Sequence, residues 1–259
     1  MSPTARRRRD PKPVDMIPGY RAVREALLSD QVTFKELWVS KGKDSQRVQE
    51  ILGFARKRQV PVQFKERREL DELLPGVTHQ GFAAWTRGSA YLELDQLIDA
   101  ARRSGGQPLL IAADHITDQG NLGAIIRTAV FFGVRGLILP RDRSAGLTDT
   151  VRKRSSGAQV HLPVAQVVNL DRALDRLSKE GFWIIGAAPE GPQSLYQFDW
   201  KRDLVLVLGS EDRGLSRLIR SRCDLLVRIP SAGQPTSLNV SVACGVILSE
   251  ITRQRERIA

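Results

Sequence analysis

The 259-residue sequence lacks any apolar run that approaches the ~20 residues of a membrane-spanning helix. Its opening, MSPTARRRRDPKP, also lacks a hydrophobic segment after the charges, so it does not have the pattern of a secretory signal. Together the two absences predict a cytoplasmic protein with no membrane partner.

Cysteine and histidine are both scarce. Cys223 and Cys244 stand in neither a CxxC pair nor the company of a histidine, which argues against a disulfide framework and against a zinc site. His79, His115 and His161 are isolated, without the surroundings of a metal pair or a catalytic triad. We therefore expect structural cysteines and no metal.

The common nucleotide-binding and hydrolase motifs are absent as well. The sequence has no GxxxxGK[ST] and no GxSxG, and the turn DHITDQGNLGA lacks GxGxxG with an acidic residue at the next strand end. This argues against the phosphate-cradling chemistry of NTPases and against a serine-hydrolase elbow.

Basic residues are in excess. The formal net charge is +11 and the isoelectric point is about 10.2, which favours a polyanionic partner. Part of the excess lies in RRRRDPK, residues 6–12. This run has two interpretations, a disordered solubilising tail and an arm that binds nucleic acid without sequence specificity.

The distribution of apolar and turn residues predicts four parts. We expect a disordered basic tail over 1–15, a small α/β domain over 16–87, a polar and partly helical linker over 88–107 that ends in SGGQP, and a larger domain over 108–259. In the larger domain, wholly apolar strand patterns alternate with helical patterns of 10 to 15 residues. Such alternation predicts a doubly wound α/β fold, with helices on both faces of a parallel sheet.

Three loops of the larger domain follow strand ends and are rich in glycine and polar residues: ADHITDQGNLGA, VLGSEDRGLS and RIPSAGQPTSLN. Open parallel sheets bind ligands beyond the carboxyl ends of their strands. The three loops therefore predict one site.

In this order the loops resemble the three motifs of the SpoU (TrmH-like) family of RNA ribose 2'-O-methyltransferases, in the SPOUT superfamily. The motifs correspond to NLGAIIRTAVFFG, LVLGSEDRGLS and IPSAGQPTSLNVSVACGVILSE. Residues 17–85, with IPGYRAVREAL and THQGFAA, resemble the RNA-binding domain of members close to the large-subunit rRNA guanosine methyltransferases. The resemblance implies a C-terminal trefoil knot, an L30e-like N-terminal domain and a homodimer.

The resemblance also implies S-adenosylmethionine as the cofactor and RNA as the substrate, most simply a guanosine of 23S-type rRNA. A tRNA ribose methyltransferase and a non-catalytic RNA-binding or assembly protein are the alternatives. Cofactor contacts are implied for six residues: Ala187, Leu208, Gly209, Ile229, Gly233 and Leu238. Glycine at 209 and 233 would let the backbone approach an adenosine closely, although glycines that only make turns would have the same pattern.

Five residues are implied as catalytic by the same resemblance: Asn121, Arg127, Glu211, Ser237 and Asn239. In the family the residue matching Arg127 is often proposed as the base, but an arginine without its proton is physically awkward at neutral pH. We interpret Arg127 as binding the adjoining phosphate and stabilising a forming alkoxide. The proton acceptor is then a phosphate oxygen, a water or an atypical arginine.

Local rules give the other catalytic candidates simpler roles. Asn121 is predicted as a helix N-cap and Ser237 as the N-cap of the last helix, inside which Asn239 would lie. Glu211 is expected to hold Arg127 or Asn121, or to orient the ribose. Residues 141–158 carry an excess of basic residues, and we interpret five of them as an RNA-backbone clamp: Arg141, Arg143, Arg152, Lys153 and Arg154. A solvated surface would have the same composition.

Overall fold

A computed structural model of the chain describes residues 16–28, 32–42, 45–87, 91–234 and 237–255. The predicted basic tail, 1–15, lies outside these residues, as do residues 88–90 of the predicted linker. The described residues divide into two compact units, one within 1–90 and the other within 91–259. In this part of the chain no helix is long and apolar enough to cross a membrane.

The first unit is a four-stranded sheet with three helices. Its elements are, in chain order, β1 (Met16–Pro18), α1 (Tyr20–Leu28), β2 (Thr33–Ser40), α2 (Gln46–Lys57), β3 (Val62–Lys65), α3 (Arg67–Leu73) and β4 (Phe82–Arg87). The strand order is β1-β4-β2-β3, in which only β2 and β3 are parallel.

The alternation of side chains along β4 places the helices of this unit on opposite faces of the sheet. Ala83 and Trp85 pack with Met16 and with Leu70 of α3, whereas Phe82 contacts Tyr20 of α1, with ring centroids 5.7 Å apart. Because successive strand residues point to opposite faces, α3 covers one face and α1 the other.

The second unit is a seven-stranded sheet flanked by helices. Its elements are α4 (Leu94–Arg103), β5 (Leu109–Asp114), α5 (Gln119–Phe131), β6 (Gly136–Pro140), α6 (Asp149–Arg154), a 3₁₀ turn (Ala158–His161), β7 (Val164–Val167), α7 (Leu170–Lys179), β8 (Trp183–Ala187), β9 (Gln193–Ser194), β10 (Leu204–Gly209), α8 (Arg217–Arg222), β11 (Leu225–Arg228) and α9 (Val240–Arg255).

All pairings in this sheet are parallel, in the order β7-β6-β5-β10-β8-β11-β9. The central strands β5 and β10 are buried along their whole length, as expected of strands that helices cover on both faces. The predicted α/β fold with a parallel sheet is therefore confirmed.

The segment predicted as a partly helical linker, 88–107, packs into the second unit over its helical part. It contains α4, whose Leu97, Ile98 and Ala101 lie in the core of the second unit. The helix begins with a capping box in which the side chains of Glu93 and Gln96 each accept from the backbone of the other residue. Apolar residues spaced three and four apart had signalled this helix, but the charged residues between them gave the segment a polar composition.

Candidate active site at the carboxyl ends of the parallel strands

Three neighbouring loops leave the same edge of the sheet. Loop 1 (115–118) follows β5, loop 2 (210–216) follows β10, and loop 3 (229–239, without 235 and 236) follows β11. The last residues of β5 and β10, Asp114 and Gly209, are direct register partners. Since parallel strands end at one edge, the fold gathers loops that are far apart in sequence.

A hydrogen-bonded group, here called the polar cluster, joins Asn121, Glu211 and Asn239. Nδ2 of Asn239 donates to Oδ1 of Asn121 at 3.1 Å and also to Oε1 of Glu211. Oδ1 of Asn239 accepts from the backbone N and the Oγ of Ser241, at 2.9 and 2.6 Å. With its oxygen occupied by Ser241, the Asn239 amide is oriented so that its NH₂ faces the other two residues.

The capping assignments for these residues were wrong. Asp118, not Asn121, caps α5, and its Oδ1 accepts from the backbone N of Asn121 at 2.7 Å. Asn239 is not inside the last helix, because α9 begins at Val240. Asn239 therefore occupies the position predicted for Ser237, with its side-chain oxygen on Ser241 N. The side chain of Asn121 is thereby left for the polar cluster.

A cavity of about 480 Å³ lies beside the polar cluster, within the size range of small-molecule sites. Five of the six predicted cofactor residues line it, namely Ala187, Leu208, Gly209, Ile229 and Leu238, together with the catalytic candidates Glu211 and Ser237. Gly233 is not among the lining residues. The wall combines an apolar surface that includes Val227, Val240 and Ile247 with the charged residues Glu190, Asp212 and Arg213.

Gly209 is required by loop 2 itself. A Cβ at this position would lie 2.2 Å from the carbonyl carbon of Gly214. The loop returns tightly there, because Ser210 and Gly214 each donate a backbone hydrogen bond to the other, at 3.1 and 2.9 Å. Close packing of the chain on itself thus explains this glycine without any ligand. At Gly233 a Cβ would meet nothing within 4 Å.

Asp114 is a site residue that the sequence reasoning missed. It is 1% exposed, and its two oxygens hold two loops: Oδ1 lies 2.6 Å from Nδ1 of His115, and Oδ2 accepts from the backbone N of Ser216 at 2.6 Å. His115 adopts a φ of 59°, which is unfavourable for a non-glycine residue. An acidic residue at the end of an otherwise apolar strand was the available signal.

Arg127 lies outside the polar cluster. Its side chain is exposed, and Nη1 donates to Oγ of Ser156 at 3.5 Å. The structure pairs Glu211 with Asn239, and within the described residues it forms no ion pair between Glu211 and Arg127. Of the alternatives expected for Glu211, to hold Arg127 or Asn121 or to orient the ribose, the structure shows a link to Asn121, which runs through Asn239.

The basic segment 141–158 packs beside α5. A Cβ at Gly123 would lie 2.4 Å from Cβ of Arg154, so this glycine allows α6 to approach α5 closely. Of the five clamp candidates, Arg141, Arg143, Lys153 and Arg154 are exposed and Arg152 is half-buried. The structure thus places Arg127 next to a surface that carries several cations.

No group of three or more histidine, cysteine, aspartate or glutamate side chains that could hold a metal ion lies among the described residues. The polar side chains at and beside the site are amides, carboxylates and a guanidinium. Such groups can orient a hydroxyl, bind a phosphate and surround a cationic ligand.

Comparison with known proteins gives two family matches that together cover most of the chain. Residues 108–249 match the SpoU rRNA Methylase family, and residues 16–92 match the family described as RNA 2'-O ribose methyltransferase substrate binding. The first match spans more than half of the sequence. The second covers nearly all of the first unit.

Two relatives extend the likeness over more than nine tenths of the chain. The 23S rRNA (guanosine-2'-O-)-methyltransferase RlmB of Pseudomonas aeruginosa is 45% identical over 237 residues, which are 92% of this chain and 95% of that protein. RlmB of Vibrio cholerae is 40% identical, over 93% and 97% of the two chains. The crystal structure of the SpoU methyltransferase AviRb from Streptomyces viridochromogenes, in complex with AdoMet, superposes with a TM-score of 0.76 at 25% identity, covering 93% of this chain and 90% of AviRb.

Proposed function

This chain belongs to the SpoU rRNA Methylase family and is an S-adenosylmethionine-dependent RNA ribose 2'-O-methyltransferase, and we propose that its substrate is a guanosine of 23S ribosomal RNA. The relatives named 23S rRNA (guanosine-2'-O-)-methyltransferase support this choice of substrate, and the observation that supports the reaction is the place of Glu211, which both lines the cavity and bonds to Asn239 of the polar cluster. A substrate group held by the cluster would therefore lie at the edge of the cavity.

The cavity fits the cofactor in size and chemistry. Its apolar wall suits an adenosine, and Glu190, Glu211 and Asp212 suit a ligand with a cationic sulfonium and an amino group. When bound there, S-adenosylmethionine supplies an electrophilic methyl group. Leu208, Ile229 and Leu238 would hold its adenosine part, and Ala187 and Gly209 would bound the space from the neighbouring strands.

The polar cluster would orient the ribose. Glu211 has acceptor capacity beyond its bond to Asn239, and Asn121 has its own NH₂ group to donate. An acceptor and a donor that are both held in place by Asn239 can orient a hydroxyl in line for attack. Ser237, at the cavity wall, would add a hydroxyl contact.

Arg127 would bind the phosphate next to the target ribose. A guanidinium keeps its proton in proteins and donates in a fork that matches phosphate oxygens. It would therefore stabilise negative charge as the hydroxyl loses its proton, and the proton would leave to a phosphate oxygen or to water. Arg141, Arg143, Arg152, Lys153 and Arg154 would continue the phosphate contacts along the RNA.

The family features of fold and assembly are part of the proposal. The insertion of β10 between β5 and β8, and the return of the chain end so that Arg255 Nη1 donates to Gln107 O at 2.8 Å, support a trefoil knot. Phe131 on α5 and Val242 on α9 are 80% and 51% exposed, which supports a homodimer that covers these packed helices.

Two further parts of the proposal follow from the substrate. The first unit would be an L30e-like RNA-binding domain, as its match to the substrate-binding family suggests. A ribosomal RNA substrate would place the protein in the cytoplasm. The domain bounds proposed for this activity are 16–87 for substrate binding and 108–259 for methyl transfer, with α4 of the segment 88–107 packed into the core of the second unit.

The test is transfer of labelled methyl groups from S-adenosylmethionine to RNA from cells that lack this protein, with mapping of the methylated ribose. A single guanosine in 23S rRNA is the expected result. Methylation of a tRNA position would replace the proposed substrate, and RNA binding without incorporation would favour a non-catalytic role.

The site assignment is tested with Arg127→Ala. We expect methyl transfer to be lost while cofactor affinity is retained, because the proposed partner of Arg127 is RNA. Arg103→Ala is a matched control. Arg103 is also an exposed arginine, in the last turn of α4, but the chain next enters β5 at its amino end, whereas the site lies at the carboxyl ends of the strands. Full activity in the Arg127 variant would contradict the role proposed for it.

A further inference from the structure

The outer surface of the first two helices carries interleaved arginines and aromatic rings. This surface, here called the α1–α2 face, consists of Tyr20, Arg21, Arg24, Arg47, Glu50, Phe54 and Lys57. On α2 the members are spaced three and four residues apart, so they form one stripe along the helix. The buried side chains of the two helices, among them Val23 and Ile51, point the other way.

Two guanidinium–aromatic contacts organise the face. Arg24 Cζ lies 5.9 Å from the centroid of the Phe54 ring, and Arg47 Cζ lies 5.1 Å from that of Tyr20. Glu50 ties the two helices together, because Arg24 Nε donates to its Oε1 at 2.8 Å and Tyr20 OH donates to its other oxygen. The rings and guanidinium planes are therefore held in a fixed arrangement rather than left to rotate freely.

The charge of this face is not neutralised by its neighbours. Arg21, Arg47 and Lys57 are exposed, and within the described residues none of them forms an ion pair. Of the residues that define the face, four are basic and one, Glu50, is acidic.

The opposite face of the same sheet, around α3, has a balanced charge. Four basic side chains at and around α3 are each paired with a carboxylate: Lys41 with Glu66 at 2.8 Å, Lys65 with Glu69 at 3.4 Å, Arg67 with Asp71 at 4.0 Å and Arg68 with Glu72 at 2.8 Å. A polyanion would have to displace an intramolecular carboxylate from each of these cations. The two faces therefore differ in their readiness to bind phosphate.

We propose that the α1–α2 face is the surface with which the first unit holds its RNA, as a single-stranded segment. Arg21, Arg47 and Lys57 contact phosphates, and an unpaired base stacks on the Phe54–Arg24 pair. Aromatic rings beside arginines are the usual platform for unstacked bases, while cations supply the affinity that depends on salt. This inference rests on the proposed RNA substrate and adds where on the chain that RNA is held.

The test compares two double variants of the full-length protein that lose the same charge. In one, Arg21→Ala and Arg47→Ala remove cations of the α1–α2 face; in the other, Arg67→Ala and Arg68→Ala remove cations of the α3 face. Binding of a 23S rRNA fragment is measured from 50 to 200 mM salt. The slope of log K against log salt is negative, and we expect its magnitude to fall in the first variant by about 0.7 for each phosphate contact removed. The second variant should keep the wild-type slope.

A third variant separates stacking from charge. Phe54→Leu should lower RNA affinity on the order of tenfold with the salt slope unchanged, since a stacked base is lost but no cation. The thermal midpoint of each variant shows that the first unit is folded. Equal slopes in the two double variants, or an unchanged affinity in folded Phe54→Leu, would overturn the proposal.

Methyl transfer by the wild-type protein distinguishes this inference from the function on which it rests. If the wild type binds the fragment through the α1–α2 face but transfers no methyl group, the proposed substrate fails and the binding surface stands. If it methylates the fragment and the Arg21/Arg47 variant does so with an unchanged KM, the surface fails and the proposed function stands.

Discussion

Replacement of Asp114 by alanine should displace two loops of the candidate active site, although Asp114 itself would not contact a ligand. The buried carboxylate accepts from Ser216 N and contacts His115 Nδ1, each at 2.6 Å. One side chain thus fastens loop 1 to the start of α8, where loop 2 ends.

The magnitude follows from the two bonds. A hydrogen bond to a charged group contributes about 1.5–3 kcal/mol, so the loss of two in Asp114→Ala should lower the free energy of unfolding by about 3–6 kcal/mol. For a unit of this size that corresponds to a fall of roughly 6–24 °C in the thermal midpoint. Asp114→Asn keeps one acceptor oxygen and should lose about half as much.

The effect on the site should exceed the effect of lost stability alone. Loop 2 supplies Glu211 to the polar cluster and several residues to the cavity wall. Its displacement should weaken cofactor binding on the order of tenfold at a temperature where the variant is folded. Isothermal titration with S-adenosylmethionine and scanning calorimetry measure the two quantities separately.

Asp224→Ala is the matched control. Oδ2 of Asp224 also accepts from a backbone N, that of Ile184, at 2.7 Å, but it does so where β8 and β11 begin, at the edge of the sheet away from the cavity. This variant should lose stability and keep its cofactor affinity. If Asp114→Ala bound the cofactor as tightly as wild type, or if both variants weakened binding equally, the reasoning about Asp114 would be refuted.

Three other predictions concern packing and protonation. Gly123→Ala should destabilise the protein by about 1–3 kcal/mol in denaturant unfolding, because the new Cβ would lie 2.4 Å from Cβ of Arg154. Gly53→Ala in α2 is the control and should be neutral or stabilising, because a Cβ there meets nothing within 4 Å. Burial raises the pKa of both cysteine thiols to about 12, so thiol reagents at pH 8 should label the native protein slowly, and rapid labelling would contradict their burial. The hydrogen bond and charge of Arg253 hold the pKa of Glu250 below its usual range. The ionised carboxylate therefore stabilises the folded state at pH values above its unfolded pKa, and this stabilisation is lost as the pH falls through the folded pKa. Glu250→Gln should accordingly make the thermal midpoint less dependent on pH on the acid side.

Most helices and strands could be predicted because their signals are local. The wholly apolar run of β5 and the run of β10 identify buried parallel strands from a few adjacent residues. The helical part of the predicted linker is α4, whose apolar spacing is also a local signal. Its polar composition did not reveal that Leu97, Ile98 and Ala101 lie in the core of the second unit.

The errors at the site arose where local rules compete with long-range contacts. Asparagine is a good N-cap, and by that rule Asn121 should have capped α5. Asp118, three residues earlier, caps the helix instead, which leaves Asn121 to meet Asn239 across a separation of 118 residues. For Gly209, the sequence shows the need for a residue without a Cβ but not which neighbour imposes it.

The sequence by itself determined the alternation of strands and helices, the three polar loops at strand ends and the set of residues they carry, because periodicity and turn chemistry depend on neighbours along the chain. Only the tertiary structure decided which of these residues meet. The position of β10 between β5 and β8 brings Asn121, Glu211 and Asn239 into one hydrogen-bonded group and leaves Arg127 beside the basic segment. Strand order and loop packing depend on contacts between distant segments, which no short window of sequence contains.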